Sequence, residues 1–140
     1  IQIGAFNPLE DRIMKDVIRK ETVSKDVVRK NVSNRMSQVV SANGFIFLSG
    51  QVADDLTGDI RQQTACVLNK ITQLLTSVAV PKANLVDVKI YLRNAQDFAQ
   101  MNAVYEAWLE DGHQPVRLCL VADFPNPDYL VEIQAQAVSV

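Results

Sequence analysis

The dipeptide Asn43-Gly44 separates two β-rich runs and constrains the fold of this chain more than any other feature. The two runs cover residues 37–42 and 45–49. An Asn-Gly pair between such runs favours a two-residue turn that joins antiparallel strands, because both residues tolerate positive φ. The chain is therefore expected to contain a β-hairpin to which its other elements must add.

Apolar residues at helical spacing predict two helices. The first covers residues 60–78 and ends before Pro81, which cannot continue a helix. The second begins after Asp97, which together with Gln100 resembles a capping box, and it ends near Gly112. The apolar stripe of this second helix consists of Phe98, Met101, Tyr105, Trp108 and Leu109.

The predicted strands share alternating or β-branched apolar residues and cover residues 37–42, 45–49, 84–92, 116–122 and 130–138. The resulting order is β-β-α-β-α-β-β, which is typical of an α+β fold with a single mixed β-sheet and two helices on one face. The other sheet face is left uncovered. In a small chain with 48% hydrophobic residues, that uncovered face predicts a subunit interface.

The length and the order of the patterns indicate one domain. Residues 1–13 differ in pattern from the rest of the chain, and Met14 resembles a natural start, so we expect an added or upstream leader over 1–13 and a single domain over 14–140. The apolar runs are far shorter than the about 20 residues that cross a bilayer, and no signal-peptide pattern opens the chain. We expect no membrane association and a cytoplasmic location.

The charge distribution disfavours nucleic acid as a partner. The chain has a net charge of −2, which gives a phosphate backbone little to bind. Residues 14–35 are locally basic, with seven Lys or Arg and three Asp or Glu. We interpret this stretch as a solvated basic edge, with a weak phosphate-binding arm as the alternative.

The cysteines and the histidine predict no metal site. Cys66 and Cys119 are far apart in sequence and form no CxxC motif, so we interpret them as two buried thiols. His113 is the chain's one histidine and belongs to no HExxH motif. We therefore expect no metal.

Three polar residues interrupt apolar patterns and are candidates for chemistry. Arg117 and Glu132 lie in predicted strands, and Asn102 lies in the second helix. Arg117 and Glu132 could simply be the solvent-facing residues of alternating strands, and the Asn102 side chain could simply bond to backbone. The functional alternative places Arg117 and Glu132 on adjacent strands covered by another subunit. There Arg117 would bind a carboxylate in bidentate fashion and Glu132 would hold or activate a water.

A longer series of segments surrounds these residues and carries a resemblance to a known family. The segments run in order through residues 33–140 and include 36–40, 45–51, 88–92, 97–102, 115–119 and 131–133. They resemble the reactive intermediate deaminase family, also called the RidA/YjgF family. This resemblance implies a chorismate-mutase-like fold and a homotrimer with sites at the subunit clefts. It also implies cofactor-independent hydrolysis of 2-imino acids, or their enamine tautomers, to 2-keto acids and ammonia.

The resemblance also implies roles for individual residues. Arg117 matches the arginine that clamps the substrate carboxylate, and Cys119 matches a neighbouring position whose backbone faces the substrate. Glu132 matches the glutamate that positions the attacking water, and Asn102 matches the helix asparagine.

Three further positions complete the implied site. Ser49 and Gly50 match the cleft wall, and Met36 stands where many deaminases of the family have Tyr. Without that hydroxyl, one hydrogen bond worth about 1 kcal/mol is missing from the bound acid. The adaptable Met side chain indicates a larger or more hydrophobic imine, or a side branch of the family.

Two other functions remain as alternatives. In the first, the same cleft binds a small carboxylate without catalysis and the chain is a regulatory module. In the second, the chain is a ribonuclease or translation inhibitor, which the acidic charge and the lack of a histidine pair disfavour.

Overall fold

The structure is a computed structural model that describes residues 7–14 and 27–139. Its helices are α1 over residues 8–14, α2 over Ile60–Ser77 and α3 over Phe98–Trp108. Its strands are β1 (Val28–Val32), β2 (Ser37–Ala42), β3 (Phe45–Leu48), β4 (Leu85–Leu92), β5 (Val116–Val121) and β6 (Val131–Val138). Short 3₁₀ turns cover Lys82–Asn84 and Ala95–Asp97.

The predicted hairpin is confirmed. Asn43 and Gly44 both have positive φ, at 51° and 79°, and Ala42 pairs with Phe45 across the turn. Positive φ at both central residues twists the turn in the sense that matches its flanking strands. The hairpin is therefore specified by two residues of local sequence.

The six described strands form one mixed sheet in the order β1-β2-β3-β6-β4-β5. The β4–β5 pair is parallel and the other pairs are antiparallel. The α+β fold with a single mixed sheet is confirmed, but β5 and β6 are not neighbours, because β4 lies between them. Residues 122–130, which include Pro125 and Pro127, therefore carry the chain past β4 instead of closing a hairpin.

One strand was missing from the predicted order. Strand β1 lies within the basic stretch 14–35, and all five of its residues are exposed. Its burial shows no alternation, which explains why its sequence carries no strand signal. Residues 15–26 of the basic stretch lie outside the described residues. Helix α1 runs up to Met14, and the predicted boundary there stays a prediction.

Helices α2 and α3 cover one face of the sheet, which we call the helix face. Buried side chains alternate along β6, where Val131, Ile133, Ala135 and Ala137 point toward the helices. The same core includes Val39, Ile46, Leu48, Val67, Leu68, Ile71, Leu75, Val88, Ile90, Leu92 and Met101. Burial of this apolar surface is the main favourable contribution to folding.

The N-termini of the two long helices differ from the sequence expectation. Asp59 forms a capping box with Gln62 at the start of α2. Asp97 at the start of α3 has helical φ and ψ and its side chain makes no capping hydrogen bond, so the capping box predicted there is wrong. The preceding 3₁₀ turn already places Asp97 in a helical conformation, whereas a capping residue needs extended backbone.

The sheet face opposite the helices, which we call the open face, carries large apolar side chains. Phe45 and Phe47 on β3 and Val116, Leu118 and Leu120 on β5 are 40 to 69% exposed. An apolar surface of this extent is typical of an interaction surface. In the described residues, no helix is long and apolar enough to span a bilayer.

Candidate functional site

Arg117 lies on edge strand β5, on the helix face, where it contacts one side of α3. Its Nη1 donates a hydrogen bond of 2.6 Å to Oδ1 of Asn102. Its guanidinium carbon lies 5.1 Å from the ring centroid of Tyr105 and 5.8 Å from that of Phe98. Phe98, Asn102 and Tyr105 follow the spacing i, i+4, i+7, so α3 presents all three on one face.

The guanidinium is exposed and keeps free donors. Within residues 7–14 and 27–139, Arg117 forms this one hydrogen bond and no salt bridge. Its charge acts on two neighbours: burial raises the pKa of Tyr105 and of Cys119, and in both cases the positive charge of Arg117 offsets part of that rise. Arg117 therefore retains both a charge and the donors that a carboxylate ligand would need.

Glu132 lies on β6, on the open face, with Tyr91 of β4 opposite. A backbone bridge between Gln51 and Ile133 brings the segment after β3 against β6. As a result, a Cβ built on Gly50 would lie 2.7 Å from Oε1 of Glu132. A side chain at residue 50 would therefore force the Glu132 carboxylate to move from its position.

Ser49 belongs to a compact polar network beside Gly50. Its hydroxyl donates to Oε1 of Gln38 at 2.7 Å, and Nε2 of Gln51 donates to both of these oxygens at 2.9 Å. Gln38 and Gln51 also line a surface cleft of about 410 Å³ between β1, β2 and α2, away from Arg117 and Glu132. We assign the network to holding the segment 49–51 in place.

Met36 ends the connection between β1 and β2 and is 46% exposed. Its carbonyl accepts hydrogen bonds from the backbone N–H and the hydroxyl of Ser33, and its own N–H donates to the Ser33 hydroxyl. The backbone at residue 36 is therefore well held, while the thioether side chain projects outward.

Six of the seven predicted site residues fall into two groups, and Met36 belongs to neither. The arginine group consists of Arg117, Asn102 and Cys119. The glutamate group consists of Glu132, Gly50 and Ser49.

Within one chain, the two groups lie on opposite faces of the sheet. Arg117 pairs with the buried Val88 on the helix face, whereas Glu132 pairs with Tyr91 on the open face. The expectation that Arg117 and Glu132 lie on adjacent strands is therefore wrong, because β4 separates β5 from β6. Strand order depends on non-local pairing, which sequence proximity does not determine.

Phe98 and Tyr105 belong to the predicted apolar stripe of α3, but their contact with Arg117 was not predicted. The available signal was the spacing of both residues from Asn102, which places an amide between two aromatic rings on one helix face. Cys119 and Cys66 are partly buried, not fully buried as expected. In the described part of the chain, no cluster of three or more His, Cys, Asp or Glu residues could hold a metal.

Comparisons with known proteins give one consistent family. Residues 28–139 match the family model described as endoribonuclease L-PSP. YoaB, a RutC family protein of Escherichia coli, is 38% identical over 103 residues, which are 74% of this chain and 90% of that protein. A RutC family protein of Haemophilus ducreyi is 34% identical over 103 residues, with 74% and 88% of the two chains covered.

A solved structure agrees with these sequence relatives. The crystal structure of a YjgF family member from Neisseria meningitidis has a TM-score of 0.79 and 40% identity, and the match covers 82% of this chain and 96% of that one. The fold and the sequence therefore lead to the same result: the chain belongs to the RidA/YjgF family, which the matching family model describes as endoribonuclease L-PSP.

Proposed function

We propose that this chain is a cofactor-independent deaminase that hydrolyses 2-imino acids to 2-keto acids and ammonia. The observation that carries the proposal is the exposed guanidinium of Arg117, which Asn102 holds by one hydrogen bond while the other donors stay free. A guanidinium with two adjacent free N–H groups matches the geometry of a carboxylate. Every 2-imino acid and 2-keto acid carries such a carboxylate next to the reacting carbon.

The proposal includes a homotrimer whose sites lie between subunits. Because Arg117 and Glu132 occupy opposite faces of one sheet, a single chain cannot place both beside one small substrate. Two chains can do so when the open face of one meets the β5 edge of the next. The exposed apolar side chains of the open face support such contact.

The reaction needs little machinery, since an imine carbon is already electrophilic. Glu132 accepts a proton from a water while the water oxygen bonds to the imine carbon, and it then passes that proton to the imine nitrogen. The resulting carbinolamine loses ammonia as its C–N bond breaks, its hydroxyl proton passes to the leaving nitrogen, and the C=O bond of the keto acid forms. Arg117 binds the carboxylate throughout and so orients the carbon.

Met36 supports a preference for larger or more hydrophobic imines. Its exposed, flexible thioether offers apolar contact and no hydroxyl donor. Imines of leucine, methionine or phenylalanine should therefore be hydrolysed faster than the imine of alanine.

The test measures keto-acid and ammonia release from imines that an amino-acid oxidase generates in situ, with semicarbazide trapping the imine that survives. Wild type should accelerate hydrolysis, and Arg117→Ala should abolish the acceleration. Arg61→Ala is the matched control, because Arg61 is an exposed arginine on α2 outside both groups. Equal rates in wild type and Arg117→Ala would contradict the proposal.

Glu132→Gln separates catalysis from binding. The amide keeps the shape of the side chain but cannot accept the proton, so turnover should fall while 2-keto acid binding persists. Keto-acid binding by wild type without turnover on any imine would instead support a regulatory module. If wild type cleaved RNA and Arg117→Ala cleaved it equally well, this result would support the ribonuclease alternative.

A further inference from the structure

The aromatic side chain beneath Arg117 has no role in the proposed reaction. Tyr105 is 4% exposed, and its ring centroid lies 5.1 Å from the guanidinium carbon of Arg117. Its hydroxyl has no hydrogen-bond partner among the residues that the structure describes, although its ring packs in the core beside Trp108. The ring, not the hydroxyl, therefore provides the interactions of this residue.

Arg117 needs a second constraint to act as a carboxylate clamp. It lies on an edge strand, is exposed, and is held by one hydrogen bond to Asn102. One bond to a terminal nitrogen leaves the guanidinium plane free to rotate, and a long side chain loses considerable entropy when it is ordered. A bidentate clamp requires that plane to be fixed before the ligand arrives.

Tyr105 is better suited to supply this constraint than Phe98. Phe98 also lies near the guanidinium, at 5.8 Å, but it is 45% exposed and can move with its side chain. Tyr105 is anchored by the core and presents a fixed π-face to the cation.

We propose that Tyr105 is a positioning residue for Arg117, whose ring holds the guanidinium plane so that its free donors face the substrate carboxylate. The part of this inference that concerns the substrate carboxylate rests on the proposed function. The ordering of Arg117 itself can be measured without any substrate.

The experiment compares Tyr105→Leu, which removes the π-face, with Tyr105→Phe, which keeps the ring and removes the hydroxyl. Tyr105→Leu should weaken 2-keto acid binding and raise KM by about five- to twentyfold with a smaller change in kcat. Tyr105→Phe should keep both 2-keto acid binding and KM near the wild-type values. ¹⁵N relaxation of the Arg117 side-chain Nε should show an ordered side chain in wild type and Tyr105→Phe, and a mobile one in Tyr105→Leu.

A double-mutant cycle distinguishes positioning from a structural role. In the Arg117→Ala background, Tyr105→Leu should cause no further loss of binding, because its effect acts through Arg117. Leu75→Ala, a buried substitution in α2, controls for stability: it should lower the free energy of unfolding and leave keto-acid affinity unchanged.

The outcomes separate this inference from the proposed function. An equal loss in Tyr105→Phe, an additive loss in the Arg117→Ala background, or an ordered Arg117 in Tyr105→Leu would each overturn the role of the Tyr105 ring. A wild type that binds no 2-keto acid would overturn the proposed function alone, because the relaxation measurement still decides whether Tyr105 orders Arg117.

Discussion

At the residue scale, the two halves of the candidate site depend on close contacts that tolerate little change. Gly50 leaves room for the Glu132 carboxylate, and Asn102 accepts the hydrogen bond that orients Arg117. Neither contact stabilises a large part of the core. Substitutions here are therefore expected to affect function more than stability.

Gly50→Ala should reduce turnover by about tenfold or more, because the new Cβ would displace the Glu132 carboxylate, which in the proposed reaction positions the water. The free energy of unfolding should change by less than about 1 kcal/mol. Imine-hydrolysis rates and urea denaturation measure the two effects.

Gly112→Ala is the contrasting control. Gly112 has φ of 78° with no atom within 4 Å of a built Cβ, so alanine there strains the backbone without touching either group. It should lower stability by about 1 kcal/mol and leave turnover intact. Full activity in Gly50→Ala would contradict the role of the glycine.

Arg117→Ala should also change the titration of Cys119. Burial raises the pKa of the Cys119 thiol, and the positive charge of Arg117 now offsets part of that rise. Without this charge the pKa should rise further, so less thiolate should be present at a given alkaline pH. Iodoacetamide labelling between about pH 8 and 11, with peptide mapping to separate Cys119 from Cys66, should show the midpoint moving to higher pH.

Arg61→Ala is the matched control for this titration and should leave the midpoint in place. An unchanged or lower labelling midpoint in Arg117→Ala would show that the guanidinium does not act on the thiol.

At the element scale, capping of the helices shows what local sequence can and cannot predict. The Asp97-to-Gln100 spacing suggests a capping box, yet the functioning box is Asp59 with Gln62. Both sequences contain Asp-x-x-Gln. They differ in the backbone before the helix, which is extended at Asp59 and helical at Asp97.

Asp59→Ala should lower the free energy of unfolding by about 1 kcal/mol, because the backbone N–H of Gln62 at the start of α2 loses its side-chain acceptor. Asp59→Ser should retain most of the stability. Asp97→Ala is the matched control and should change stability by less than about 0.5 kcal/mol. Equal destabilisation by Asp59→Ala and Asp97→Ala, measured by urea denaturation, would refute this assignment.

At the scale of the whole molecule, the proposed assembly would account for both the open face and the separation of the two groups. One face of the sheet is covered by α2 and α3, and the other exposes apolar side chains next to Glu132. Association through that face would bury the apolar surface and bring Glu132 of one chain toward Arg117 of another. Assembly and activity should therefore be lost together.

Phe47→Glu should shift the protein toward monomers, because a buried unpaired charge at the interface is costly. Sedimentation velocity should show a species larger than a monomer for wild type and a smaller one for the variant, which should also lack turnover. Thr76→Glu, on the exposed side of α2, should change neither. A monomeric but active wild type would refute the intersubunit site.

Mixing two inactive variants provides a complementary prediction. Co-refolded Arg117→Ala and Glu132→Gln chains should regain activity, because some clefts then receive both native residues from different chains. Random assembly restores about a quarter of the sites in a closed ring. Mixtures that remain as inactive as the separate variants would place both residues in one chain's own site.

Much of the fold could be predicted from local sequence. The Asn43-Gly44 turn, helix α2 and strands β2, β4 and β6 each depend on local conformational preference and a regular apolar period, and each agrees with the structure to within about two residues. The exposed strand β1 has no such period, and its backbone pairing with β2 holds it in the sheet instead.

The candidate site shows the same division. The sequence by itself identified Arg117, Asn102 and Glu132 as polar residues in apolar patterns, because their chemistry is independent of where the strands lie. The tertiary structure alone decided that β4 separates β5 from β6, that Glu132 faces away from Arg117, and that Tyr105 lies under the guanidinium. Strand order and side-chain contacts arise from pairing and packing between distant segments, which local sequence patterns do not determine.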